Sequence, residues 1–217
     1  LDLLYCSGTR LYFWLMDDIL VIENFLPEVL HKYMLEEITS DAFPLAYLED
    51  VTYDVKNLDG TELPRNHGFC HMFWNRDTGH RSTFVPVVYP LFLYLKEYLN
   101  CNPQDLIRMR LGWGLQYSEE KIHNPHLDYN YPHYTCLYYV ESSDGDSIVY
   151  NETLEDYNPN EDDDLEDIRE FPFTIKKRIT PEANKMVIFD GKHFHSSSTN
   201  HISDRRLVVT TNIEYGR

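Results

Sequence analysis

The sequence predicts a mainly β protein: an antiparallel barrel of jelly-roll type with N-terminal helices packed on it, in one domain. Three observations carry this. After residue 105, six β-type runs follow one another: LIRMRLGWGLQY, TCLYYV, SIVYN, FPFTIKKRI, KMVIF and RLVVTTNI. They are separated by Gly, Pro, Asn and Asp clusters, with no helical period between them. Before residue 105, two segments repeat apolar residues at helical spacing. With 217 residues, 42% of them apolar and 14% aromatic, the chain can fill one sizeable core.

Taken in order, LDLLYCSGTRLYFWL at 1–15 has neither alternation nor helical period, and reads as an N-terminal extension or an extra edge strand. The domain proper is expected over 16–217. ILVIENFLPEVLHKYMLEEIT begins with a short strand. Pro27 then opens a helix whose apolar face is Leu26, Leu30, Tyr33, Met34 and Ile38. Residues 51–75 have strand composition broken by Asp59-Gly60, a hairpin signal, and LFLYLKEYLN at 91–100 is a second, more apolar helix ending near Pro103. Both helices suit packing against a sheet.

The net charge of −17 is concentrated: residues 141–170 hold thirteen Asp and Glu against one Arg, a local balance of −12. An insert at about 152–170, containing NPNEDDDLEDIRE, is too polar to pack and reads as a solvated loop. Beside the substrate groove, it would attract a basic peptide. No basic stripe with interleaved aromatics offsets this acidity, so nucleic acid is not an expected partner. No apolar run approaches the roughly 18 residues a membrane helix needs. Cys6, Cys70, Cys101 and Cys136 form neither a CxxC pair nor a zinc-ribbon spacing, so buried free thiols in a reducing, cytoplasmic setting are expected.

HNPHLDYNYPHYTCLYYV at 123–140 raises the question of a metal. An H-x-[D/E] triplet is weak by itself: with 36 acidic residues in 217, ten histidines give about 1.7 by chance, and the chain has one, His126-Leu127-Asp128. Spacing of two on an extended segment does put both side chains on one face. Downstream, KMVIFDGKHFHSSS supplies His195 and RRLVVTTNI supplies arginine, giving H-x-D, 66 residues, H, ten residues, R. Two imidazoles and one carboxylate leave three adjacent positions open on an octahedral Fe(II).

With these features the chain resembles the Fe(II) and 2-oxoglutarate-dependent dioxygenases, within them the prolyl 4-hydroxylase-like branch, over roughly residues 18–215. The matching features are ENFLP, Tyr117 nine residues before His126, TCLYYV after the H-x-D, IFDGKHFH, and RLVVTTN at the end. The resemblance implies a double-stranded β-helix (cupin-like jelly roll) flanked by helices, with His126, Asp128 and His195 as iron ligands. Arg205 and Arg206 are adjacent, and only one can point inward. The family's last strand aligns on Arg206, putting Arg206, Val208, Thr210 and Asn212 on one face, so Arg206 with Thr210 is expected at the cosubstrate and Arg205 is the rival. The resemblance makes Tyr139 a hydrogen-bond donor to 2-oxoglutarate and Tyr117 a weaker candidate. The family's glycine pair appears as SSDGDS, of which Gly145 alone remains.

Plainer readings apply to the other histidines. His123 and His133 have no partner at ligand spacing, and His193 is the rival to His195 if its strand continues. His31, His67, His71, His80 and His201 carry no assigned chemistry, and Tyr129, Tyr131 and Tyr134 suit packing as well as a substrate groove. The activity implied is hydroxylation of a C–H bond in a peptidyl-proline, an amino acid or another small substrate. Dioxygen and 2-oxoglutarate would be consumed, and ascorbate would support turnover. The alternative is a non-catalytic metal-binding jelly-roll interaction module.

Overall fold

The computed structural model describes residues 19–49, 51, 67–156 and 171–216. The expected N-terminal extension, the Asp59-Gly60 turn and most of the acidic insert lie outside these residues. So does Cys6.

Two sheets face each other. The larger uses β1 (Leu20–Ile22), β2 (Ala46–Leu48), β3 (Gly68–Asn75), β4 (His80–Arg81), β5 (Leu106–Leu115), β6 (His133–Tyr139), β9 (Lys185–Asp190) and β11 (Arg205–Glu214). Their order is β1-β9-β6-β11-β5-β3-β2, with β4 beside β3. The smaller sheet is β10 (His193–Ser197), β7 (Ser147–Thr153) and β8 (Ile175–Ile179), in that order. Every pairing is antiparallel. Helices α1 (Glu28–Ile38) and α2 (Val85–Leu99) contribute to the core on the outer face of the larger sheet.

Strand alternation divides this apolar sequence between two cores. On β6, Tyr134, Cys136 and Tyr138 join the helix-side core, whereas Leu137 and Tyr139 join the barrel interior. On β9, Met186 and Ile188 face the helices, and Val187 and Phe189 the barrel. On β11, Leu207, Val209 and Ile213 face outward to the helices, and Val208 faces inward. Burial on both faces is why these strands read as nearly continuous apolar runs.

Helix α1 follows Pro27 as expected, with Met34 and Ile38 fully buried and Leu30 packed beside them. Tyr33 departs from the expectation and is 44% exposed, because a stripe stepping by four residues from Leu26 to Ile38 already fills the contact. Helix α2 starts earlier than expected, at Val85: Pro86 is tolerated in the first turn, and Pro90 is accommodated inside a helix whose apolar face is buried. Cys101 and Cys136 are buried free thiols and Cys70 is half-buried. Burial pushes the Cys101 thiol up to about 11.

Asn184 locks α1 to the barrel. It sits in the left-handed region at φ 62° in the connection from β8 to β9, and its amide forms a two-way bond with Leu26: Leu26 N donates to Oδ1 at 2.9 Å and Nδ2 donates to Leu26 O at 2.8 Å. The Tyr138 hydroxyl donates to the same Oδ1 at 3.0 Å and accepts from His31 Nδ1 at 2.8 Å. Asn184→Ala is expected to lower stability by about 2–4 kcal/mol in a urea melt, combining a left-handed alanine with unsatisfied buried groups. Asn184→Gly, free of the φ penalty, should recover about 1 kcal/mol of that loss.

Candidate metal centre

Residues 122–126 run beside β10, where Ile122 and His126 form single bridges to Ser198 and His195. His126 N donates to His195 O at 2.9 Å, and His195 N donates to His126 O at 3.0 Å. Residues that exchange both bonds in an antiparallel pair project their side chains to the same side. The two imidazoles accordingly lie 4.5 Å apart, centre to centre.

Asp128, two residues on, brings its Oδ2 to 3.8 Å from His195 Nε2. One donor atom from each of His126, Asp128 and His195 lies within 4.8 Å of the others, the spacing of a three-ligand metal site. His195 is buried and His126 exposed, so the site is closed on the protein side and open on the other.

Asp128 is held from the larger sheet. Arg108 Nη2 on β5 donates to its Oδ1 at 2.5 Å, and Asn212 Nδ2 on β11 donates to its Oδ2 at 2.8 Å. Thr135 Oγ1 on β6 lies 3.5 Å from the same Oδ2. Arg108 Nε also donates to Asn212 Oδ1 at 3.0 Å, which fixes the amide's orientation. Burial alone would raise the Asp128 carboxyl. The Arg108 guanidinium, both imidazoles and the Asn212 hydrogen bond outweigh it and hold the carboxyl well below the usual range. Burial and the neighbouring His126 push His195 down to about 3. The set at neutral pH is therefore one carboxylate with His195 neutral, the protonation state that ligation requires.

The triad borders a cavity of about 460 Å³ that reaches Arg206, Ser147, Leu137, Val208 and Thr210. Arg206 Nε donates to Gly145 O at 2.6 Å and its Nη2 to Ser147 Oγ at 2.7 Å, leaving three of the five guanidinium donors without a partner among the described residues. The Tyr139 hydroxyl, fully buried beside Arg206 and Ser147, makes no well-formed hydrogen bond among the described residues. Gly145 is required where it stands: a Cβ there would lie 2.8 Å from Arg206 Cδ and 2.9 Å from Ser198 O. Arg205 is committed elsewhere, paired with both Glu141 carboxylate oxygens at 2.6 and 2.7 Å and lying 5.2 Å from the Trp113 ring centre.

Tyr117 stands on the cavity wall with its hydroxyl donating to His67 O at 3.0 Å. His193 is separated from His195 by an irregularity in β10 and faces Lys176 Nζ at 3.3 Å instead of the triad. His123 pairs with Ser197 Oγ, and His133 is buried against Gly191 with Nδ1 on Tyr131 O. Tyr129 stacks near Tyr131 and under Arg108, and Tyr134 packs on Tyr215. Arg108 was not anticipated from the sequence. Its signal was there in LIRMRLGWGL, where Arg108 and Arg110 alternate with the core residues Met109 and Leu111.

No protein-family model and no curated protein matches the chain. Solved structures do match in fold. The non-heme alpha ketoglutarate dependent epimerase SnoN from nogalamycin biosynthesis aligns at TM-score 0.61 and 9% identity, over 94% of this chain and 79% of that one. A prolyl hydroxylase from Trichoplax adhaerens, in complex with a hypoxia inducible factor peptide fragment, aligns at 0.57 and 12%, over 94% and 86%. HygX from Streptomyces hygroscopicus, with nickel and 2-oxoglutarate bound, aligns at 0.55 and 13%, over 95% and 86%. The chain has the jelly-roll fold of the 2-oxoglutarate and Fe(II) oxygenases, prolyl hydroxylases among them. No helix among the described residues is long and apolar enough to cross a membrane.

Asn212→Ala is expected to weaken Mn(II) or Co(II) binding by about 10–100-fold in calorimetric titration, the usual cost of removing a ligand's orienting partner. A second test concerns Asp144, which holds the loop leading to Arg206: its carboxylate accepts from His201 N and Ile202 N, both at 2.9 Å, and from Ser203 N at 2.8 Å. Although burial opposes it, these bonds hold the carboxyl below its ordinary range. The stabilisation is therefore full above the unfolded carboxyl pKa and is lost as pH falls through the lower folded one. In metal-free protein, Asp144→Asn should cost about 1–2 kcal/mol at pH 7, with the gap to wild type narrowing below about pH 4.

Proposed function

We propose that the protein is an Fe(II)- and 2-oxoglutarate-dependent dioxygenase that hydroxylates a C–H bond of a peptidyl-proline, an amino acid or another small substrate. The observation that carries this reading is the pairing, in one cavity, of the His126, Asp128 and His195 donor set with a half-buried Arg206 that has no carboxylate partner among the described residues. The overall reaction balances as substrate C–H, dioxygen and 2-oxoglutarate going to alcohol, succinate and carbon dioxide.

His126, Asp128 and His195 would hold the metal on one face, leaving the opposite face to cosubstrate and dioxygen. When bound, Fe(II) supplies the redox chemistry that couples dioxygen to decarboxylation and C–H oxidation. The residues of the chain do the positioning. The unpartnered donors of Arg206 suit the far carboxylate of 2-oxoglutarate, a planar anion that a guanidinium grips at two points. The buried Tyr139 hydroxyl would donate to the same group, and Thr210 lines the path between Arg206 and the metal set. Leu137 and Val208 make that wall apolar, which excludes water and strengthens each charged contact. Arg108 and Asn212 keep Asp128 ionised and aimed, so metal entry does not have to expel a proton from it. The neighbours support cofactor and cosubstrate, since HygX was solved with nickel and 2-oxoglutarate and SnoN with Fe3+ and alpha ketoglutarate.

Purified protein given Fe(II), ascorbate and 2-oxoglutarate should form succinate slowly without added substrate, and faster with one. His126→Ala and Asp128→Ala should each abolish this. Arg206→Met should raise the KM for 2-oxoglutarate by about 10–100-fold, the loss of a charge-assisted pair. Unchanged succinate formation in both ligand variants would falsify the reading. Tight zinc binding without any 2-oxoglutarate-dependent spectral change would favour a non-catalytic module.

A further inference from the structure

We propose that the substrate is a small molecule bearing a free carboxylate, and that Arg110 is the residue that binds it. The inference rests on the dioxygenase reading and adds the substrate's chemical class to it. On the barrel face of β5, Arg108, Arg110, Gly112 and Gly114 follow one another, opposite Asn212, Thr210, Val208 and Arg206 of β11. Among the described residues, three arginines and one acid, Asp128, line the cavity. Two of these arginines have assigned partners. Arg108 is bonded to Asp128 and Asn212, and Arg206 is held by Gly145 and Ser147 at the cosubstrate end. Arg110 lines the cavity with no hydrogen bond or ion pair to any described residue.

An arginine inside a cavity, in a chain of net charge −17, has no acidic partner among the described residues. Its position explains this: its neighbours across the sheet are Thr210 and Met72, and neither can neutralise it. Charge balance points the same way. Asp128 offsets Arg108, and a divalent cation with the 2-oxoglutarate dianion are equal and opposite. Arg206 and Arg110 then leave the loaded cavity positive, and an anionic substrate reduces that surplus.

Space is available beside the guanidinium. A Cβ at Gly112 would meet nothing closer than Val208 O at 3.9 Å, so the floor next to Arg110 is bare and the body of a ligand can lie over it. Arg110 is two residues along β5 from Arg108, about 7 Å of strand from the arginine that grips Asp128. A carboxylate held there puts the adjacent carbons near the metal set. The cavity's size lies in the range of small-molecule sites, and a free amino acid is the simplest ligand that fits.

The test uses the full chain and a panel of free L-amino acids and dicarboxylic acids, each paired with its amide. Saturation-transfer NMR on metal-free protein reads binding, and succinate formation with Fe(II) and 2-oxoglutarate reads turnover. At least one acid should bind and stimulate turnover while its amide does neither. Arg110→Met should weaken that acid by about 10–100-fold in the NMR titration, with partial rescue in Arg110→Lys. Amides binding as well as acids, an empty panel, or Arg110→Met binding the acid as tightly as wild type each overturns the proposal. If wild type makes no succinate at all, the dioxygenase reading fails separately, and the NMR comparison of acid with amide still decides the role of Arg110.

Discussion

The two reciprocal hydrogen bonds between His126 and His195 are the contact on which the rest of the site depends. They attach the 122–126 segment to the edge of the smaller sheet, set both imidazoles on one side, and start Asp128 on its way across to the larger sheet. There β5, β6 and β11 supply Arg108, Thr135 and Asn212 to receive it. The donor set therefore draws on both sheets, His195 from the smaller one and the groups that hold Asp128 from the larger, and it is assembled only when both have formed and faced each other.

Electrostatics reinforces this geometry. The chain is strongly acidic, yet its cavity is lined by three arginines. One of them stabilises the charge of the aspartate, and another, Arg206, is half-buried where desolvation disfavours its charge and Tyr139, Asp146 and its bonds to Gly145 and Ser147 support it. Polar groups left unsatisfied in a dry interior are costly unless a ligand completes them, which makes the Tyr139 hydroxyl and the remaining Arg206 donors candidates for ligand contact. Arg205 shows the contrast one residue away: it is half-buried, bidentate with Glu141 and stacked on Trp113, and it is structurally satisfied.

Much of this was legible in the sequence because strand alternation is a strict rule. The period of two in TCLYYV and RLVVTTNI separated barrel-facing from helix-facing residues, and it put Arg206 rather than Arg205 on the inner face; Arg206 lines the cavity and Arg205 pairs with Glu141. Arg108 escaped notice because its role depends on the register of β5 against β11, which no local pattern encodes. The choice between His193 and His195 hung on an irregularity within β10 that a run of HFHSS does not announce. Tyr33 was misplaced because periodicity gives the width of a helical face but not how much of it the neighbouring elements can cover.

The Asn184 lock also constrains the order in which the chain can be assembled. Helix α1 is among the first described elements to leave the ribosome, yet the backbone groups of Leu26 at its entrance are completed by a side chain 158 residues later. β1 likewise waits for β9. Contacts of such sequence separation carry a large loop-closure cost and slow folding. The N-terminal layer can meet helix α2 early, through Phe25 against Tyr94 and Tyr98, but its lock onto the barrel closes only when the second half of the barrel is present.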